Sequence, residues 1–159
     1  MKVLDLEAAK QKAYRLLALR PHSEKELEKK LREKGFPAVV IKETLEKLHD
    51  LKYLNDASFA KGLARNLAAN KLWGNRKIIA SLQEKGIAAQ LIDDAIAAAR
   101  QEIPEEDAIA ILVKKKPADF DVKEKHKLFQ SLMGRGFPPV LILNKLGKAA
   151  EEEFNGENG

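Results

Sequence analysis

Between Asn70 and Ile79 the chain reads N-K-L-W-G-N-R-K-I-I, with its single tryptophan set among Lys71, Arg76 and Lys77. The segment lies in a run without acids, since neither Asp nor Glu occurs from Ala57 to Gln83. Lys61 and Arg65 precede it and Lys85 follows it. Cations grouped around one aromatic residue bind anions, either phosphate or a carboxylate-bearing surface. Trp73 suits stacking on a base or on a partner side chain, or packing as a core plug. The candidate partner- or DNA-binding residues are therefore Lys61, Arg65, Lys71, Trp73, Arg76, Lys77 and Lys85.

No pattern points to covalent chemistry. His22, His49 and His126 are scattered, without Cys or carboxylate at zinc-ligand spacing. There is no phosphate-cradling Gly loop and no nucleophile elbow. Lys114 to Lys116 read as a solvated linker or a second basic patch ahead of Pro117. The expectation is a binding protein, not an enzyme, with no cofactor and no metal.

The elements that must position the basic run repeat along the chain. Gly35, Gly86 and Gly136, in K-G-F, K-G-I and R-G-F, stand 51 and 50 residues apart. Leu31, Leu82 and Leu132 precede them by four residues, and Leu27, Ile78 and Leu128 by eight. Ile41, Ile92 and Ile142 follow by six, Leu45, Ile96 and Leu146 by ten, and Leu48, Ala99 and Ala149 by thirteen. Apolar residues at i and i+4 make one helical face, and at i, i+4 and i+7 a second. The glycine between them takes the left-handed conformation that ends a helix, and the next apolar residue folds back on the last turn. Pro37 and Pro138 stand where the next helix starts. Ala13 with Leu17, Leu63 with Leu67 and Ala108 with Leu112 indicate a further helix per repeat.

The fold class is all-α, with three tandem three-helix repeats that resemble helix-turn-helix units. The expected boundaries are 1–54, 55–102 and 103–150, followed by a disordered acidic tail, 151–159. The third unit has a longer first connection. Units of this size bury little alone, so an elongated, curved stack is expected.

Aligned on the glycines, the middle helix of unit one begins S-E-K-E, Ser23 to Glu26, which is a capping box. Unit two has G-N-R-K, Gly74 to Lys77, at the same positions. Bases at a helix N-terminus oppose the macrodipole by roughly 0.3–1 kcal/mol each when exposed. That cost suggests a seat for a phosphate or carboxylate on the helix N-terminus.

Composition agrees. The 159 residues are 45% apolar and 33% charged, with 9 Gly, 6 Pro and no Cys. Good helix formers dominate. Net charge is +5, divided into a body of +9 and a tail, E-E-E-F-N-G-E-N-G, of −4. The N-terminus lacks a signal-peptide core, and no apolar run approaches the roughly 20 residues that span a bilayer. These features suit a soluble, cytoplasmic protein that does not enter the membrane, and a monomer is expected.

Three stretches carry a family resemblance: S-E-K-E-L-E-K-K-L-R-E-K-G-F, Y-L-N-D-A-S-F-A from Tyr53 to Ala60, and K-L-W-G-N-R-K-I-I. With them the chain, to about Ala150, resembles the bacterial RecX regulatory proteins. The third unit matches more loosely and the tail not at all. The resemblance implies tandem three-helix repeats that bind the RecA recombinase filament on single-stranded DNA. It implies modulation, usually inhibition, of ATP hydrolysis, strand exchange and co-protease activity, and so a role in DNA repair and recombination. It also allows single- or double-stranded DNA as a partner, and it brings no catalytic residues. Two other readings compete. A stand-alone DNA-binding protein would need a basic recognition helix, yet the last helix of unit two has two acids and one base. An inert scaffold would be indifferent to charge reversal at Arg76 and Lys77.

Overall fold

In the computed structural model, residues 2–116 and 121–147 are described, and they form nine helices and no strand. Unit one holds α1 (Lys2–Leu19), α2 (Glu24–Glu33) and α3 (Ala38–Asp50). Unit two holds α4 (Asp56–Ala69), α5 (Asn75–Glu84) and α6 (Ala89–Glu102). Unit three holds α7 (Glu105–Lys114), α8 (Val122–Gly134) and α9, which covers 139–147. The expectations for Pro117, Ala149 and the acidic tail, 151–159, lie outside the described residues.

The turn after each middle helix forms as the spacing predicts. Gly35, Gly86 and Gly136 have φ of 91°, 77° and 95°. Their amides donate to Arg32, Gln83 and Met133, and the next residue's amide reaches five back, to Leu31, Leu82 and Leu132. These paired bonds satisfy the carbonyls that a helix C-terminus leaves open. The buried residues form three clusters centred on Leu27, Leu31 and Leu48, on Ile78, Leu82 and Ile92, and on Leu132, Phe137 and Ile142. The clusters trade residues at their edges. Leu72, from the α4–α5 connection, is buried in the third cluster, and Ile103 packs against both the second and the third.

The units are joined by one recurring contact. The N-termini of the first two middle helices, α2 and α5, each dock on the Gly turn of the next unit. At the first joint the Ser23 hydroxyl donates to the Lys85 carbonyl at 2.7 Å, and the Glu24 amide to Asp56 Oδ1 at 2.9 Å. At the second, the Gly74 amide donates to the Arg135 carbonyl at 2.7 Å and the Arg76 amide to the Gly136 carbonyl at 3.2 Å. The Asn75 amide there donates to Glu105 Oε2 at 3.1 Å. Each joint thus takes acceptors from a turn and a carboxylate from the start of a helix. The start of one helix meets the carbonyl end of another, through the Ser23 hydroxyl at the first joint and through the Gly74 and Arg76 N–H groups at the second.

The capping box of α2 is present and contributes to the first joint. Burial pushes the Glu26 carboxyl up, but hydrogen bonds from Arg20, the Ser23 amide and Lys85, with the charge of Lys85, hold it at about 2 against an ordinary 4.5. Arg20 and Lys85 lie 2.9 and 3.3 Å from Glu26 Oε2. His22 is buried beside it. Burial, Arg20 and Lys30 lower its pKa against an opposing bond to the Arg20 carbonyl. Its Nδ1 lies 2.8 Å from that carbonyl and its Nε2 3.0 Å from Lys30 Nζ, which suits the neutral ring.

Two predictions follow from the joints. A Cβ on Gly74 would lie 2.3 Å from the Gly136 carbonyl carbon, and one on Gly86 2.4 Å from Lys25 Cδ. Gly74→Ala and Gly86→Val should each lower stability by about 2 kcal/mol or more, the latter also because a β-branched residue resists positive φ. Gly62→Ala, in open space on α4, should raise stability by roughly 0.5–1 kcal/mol. Thermal melts followed by circular dichroism read all three, and an unchanged Gly74→Ala melt would refute the joint. The second concerns Glu26. A depressed carboxyl stabilises the fold above the unfolded value of 4.5, and that contribution fades as pH falls towards about 2. Glu26→Gln should therefore cost about 1–3 kcal/mol at pH 7, with the difference from wild type shrinking below pH 4.5. Urea titrations at several pH values measure it, and a pH-independent difference would refute the charge assignment.

Candidate partner-binding surface

The tertiary structure divides the seven sequence-derived residues into three groups. Lys71, Trp73, Arg76 and Lys77 gather at the joint between units two and three. Lys71, Arg76 and Lys77 are exposed, while Trp73 is half-buried against the core of unit two. Lys61 and Arg65 stand one turn apart on α4, both exposed, with Arg65 paired to Glu102 at 2.8 Å. Lys85 lies at the far end of α5, a ten-residue helix of about 15 Å. Its ammonium is engaged with Glu26 and its carbonyl with Ser23.

The anion seat expected on the α5 N-terminus is filled from within the chain, by the Glu105 carboxylate and two carbonyls. The amides of Gly74, Asn75 and Arg76 are all spent on unit three. The change from S-E-K-E to G-N-R-K has another cause. At Gly74 the backbone of α5 approaches the turn of α8 so closely that no side chain fits. The Gly74 amide, which has no capping glutamate, is taken by the Arg135 carbonyl, and Glu105 from α7 takes the place that Asp56 has at the first joint. Arg76 and Lys77 lie beside the carbonyl end of α8, where cations are favoured, so the expected macrodipole cost is offset.

Trp73 is likewise accounted for within the chain. One face of its ring carries the Lys77 ammonium, 4.1 Å from the centroid. That contact is worth about 0.5–1 kcal/mol when exposed. The aromatic therefore orients Lys77 and fills the core, and base stacking would first have to displace the lysine.

Two side chains that shape this surface are absent from the sequence-derived set. Arg100 of α6 is half-buried and reaches Trp73 O at 2.8 Å, Asn75 Oδ1 at 2.7 Å and Ile103 O at 3.1 Å. It clamps the connection carrying the basic segment. Burial lowers its pKa, partly countered by Glu105 and Glu106. Arg135 donates to the Lys71 carbonyl at 2.8 Å, so a fourth cation joins Lys71, Arg76 and Lys77 from unit three. Its place in R-G-F is legible in sequence, but its neighbour 64 residues away is not.

Among the described residues, Lys61, Lys71, Arg76 and Lys77 have no ion-pair partner, and no cluster of His, Asp and Glu could hold a metal. No helix of those residues is long and apolar enough to cross a membrane. A groove of about 750 Å³ lies between units one and two, floored by Leu17, Phe59 and Leu63 and flanked by Lys52, Tyr53 and Lys85. Of the seven candidate residues only Lys85 lines it, and the other six lie outside it.

Known proteins match this architecture closely. Residues 9–48 match the family model described as RecX, first three-helix domain, and residues 55–96 that described as RecX, second three-helix domain. The Regulatory protein RecX of Chlorobaculum tepidum is 37% identical over 125 residues, covering 79% of this chain and 78% of that protein. That of Pelodictyon phaeoclathratiforme is 34% identical over 132 residues, with the same shares. The crystal structure of RecX from Lactobacillus salivarius superposes with a TM-score of 0.81 at 24% identity, covering 93% of this chain and 98% of that one, which shows the shared fold. With both three-helix domains matched and relatives aligned over most of their length, the chain belongs to the RecX family of regulatory proteins.

Proposed function

We propose that this protein is a non-enzymatic modulator, in the main an inhibitor, of the RecA recombinase filament on single-stranded DNA. In that role it would act as a monomer in the cytoplasm and regulate DNA repair and recombination. The observation that carries the reading is the surface at the joint of units two and three. There Lys71, Arg76 and Lys77 stand exposed without carboxylate partners on the described part of a family member. Such a surface suits acidic protein or phosphate, and a stack of units can touch more than one protomer of a polymer. Linked contacts of this kind gain avidity through effective concentration. Modulation then requires only that the protein bind one filament state more tightly than another.

A self-sufficient duplex reader is the weaker alternative. The last helix of unit two carries exposed Asp93 and Asp94, and Arg100, its only base, is turned inward to Trp73 and Asn75. Such a helix suits a phosphate-lined groove poorly.

ATP hydrolysis by RecA on single-stranded DNA, titrated with this protein, provides the test. The wild type should suppress hydrolysis well below one molecule per RecA. Arg76→Glu with Lys77→Glu should need about tenfold more protein for the same effect. Both side chains are exposed, so the melting temperature should barely move. Should the wild type leave hydrolysis unchanged while binding free DNA with a steep salt dependence, the recombinase reading fails and the surface serves DNA alone.

A further inference from the structure

The joints are copies of one contact, and a third copy of the receiving half is open. Lys34, Gly35 and Phe36 in unit one correspond to Lys85, Gly86 and Ile87, and to Arg135, Gly136 and Phe137. In units two and three the turn is in contact with the preceding unit, and Gly136 is buried, though Gly86 is exposed. A Cβ on Gly86 or Gly136 would meet Lys25 or Lys77 at 2.4 or 2.5 Å, and Ile87 and Phe137 are buried. In unit one nothing lies within 4 Å of a Cβ on Gly35, and Phe36 is only half-buried. Among the described residues no donor reaches the Lys34 or Gly35 carbonyl, whereas Lys85, Arg135 and Gly136 each accept across a joint. The carboxylate that completes each joint also has a counterpart. Asp5 stands 30 residues before Gly35, as Asp56 stands before Gly86.

Among the described residues, none of the three middle-helix starts is free to fill that place. The two docking helices, α2 and α5, have N-caps Ser23 and Gly74, each 12 residues before its glycine. In α8 the cap is Asp121, 15 residues before Gly136, and it accepts the Glu124 amide at 2.8 Å. Its helix begins one turn early for the joint and is closed by its own side chain. A second copy therefore offers a start of the wrong register.

We propose that the Gly35 turn, with Phe36 and Asp5, is a receptor for the first turn of a helix presented by a partner protein. The helix would carry a small N-cap residue, as Ser23 and Gly74 are small, so that its backbone can approach the turn. Its N–H groups would donate to the Lys34 and Gly35 carbonyls and to the Asp5 carboxylate. The two carbonyls and the Asp5 carboxylate are acceptors, which suits the positive end of a helix dipole. This surface is at the far end of the stack from the joint of units two and three, and the assignment does not depend on the role of the basic run.

Gly35→Asn separates docking from folding. Asn tolerates left-handed φ better than other side chains, and at Gly35 it points into open space. The probe is a helix-stapled peptide of residues 21–33, the segment that carries the start of α2, added to the isotope-labelled full-length chain. Amide resonances of residues 34–38 and of Asp5 should shift saturably, and those of the filled turns should stay still. Gly35→Asn and Asp5→Lys, each checked by a well-dispersed spectrum, should weaken the peptide by at least about tenfold. Absence of saturable shifts, shifts centred on Gly86 or Gly136, or equal binding to both variants would overturn the proposal. Sedimentation of the chain alone is the second readout. A concentration-dependent dimer abolished by Gly35→Asn would assign the turn to a second copy and overturn the partner assignment, while a monomer at all concentrations upholds it.

Discussion

The structure depends on how a helix N-terminus is satisfied. An α-helix leaves its first N–H groups without internal partners, and buried ones are costly unless bonded. Here two middle helices meet part of that need from the next unit, at Asp56 for the first, whose Ser23 hydroxyl also donates to Lys85, and at Arg135, Gly136 and Glu105 for the second. A unit of about 50 residues has a small core, and docking gives it a neighbour to bury against. Helix ends and unit interfaces are thus one set of contacts, so stability and architecture are coupled at Ser23 and Gly74. The third unit has no successor among the described residues, and its middle helix is closed by its own Asp121 instead.

The same constraint shapes the basic surface. Because the α5 N-terminus is consumed internally, its cations cannot serve a backbone anion seat. They act as side chains projecting around a rigid joint. Trp73, Lys77 and Arg100 hold the segment, and Arg135 extends it from the neighbouring unit. Four cations are held together by a contact between units, so movement of unit three against unit two would change their spacing.

Much of this was legible in the residues. Leu27, Leu31, Ile41 and Leu45, with their counterparts around Gly86 and Gly136, announced the helices and the turns, because helical periodicity and left-handed glycine are local physics. The capping box at Ser23 and Glu26 is also local and formed as written. Four of the seven candidate residues, Lys71, Trp73, Arg76 and Lys77, do cluster, since they are close in sequence. Lys85, also close, is carried away along α5 and taken by Glu26, 59 residues distant.

The sequence by itself determined the helical repeat, the place of each glycine turn and the family to which those motifs point, all of which rest on spacings within one or two helices. Only the tertiary structure decided why Gly74 replaces a capping serine, where the helix N-termini find their acceptors, and which cations remain unpaired. Those outcomes depend on backbone approaches between residues about 60 apart, such as Gly74 to Gly136 and Ser23 to Lys85. A hydrogen bond between units leaves no periodicity of its own, because any residue with a carbonyl can accept it.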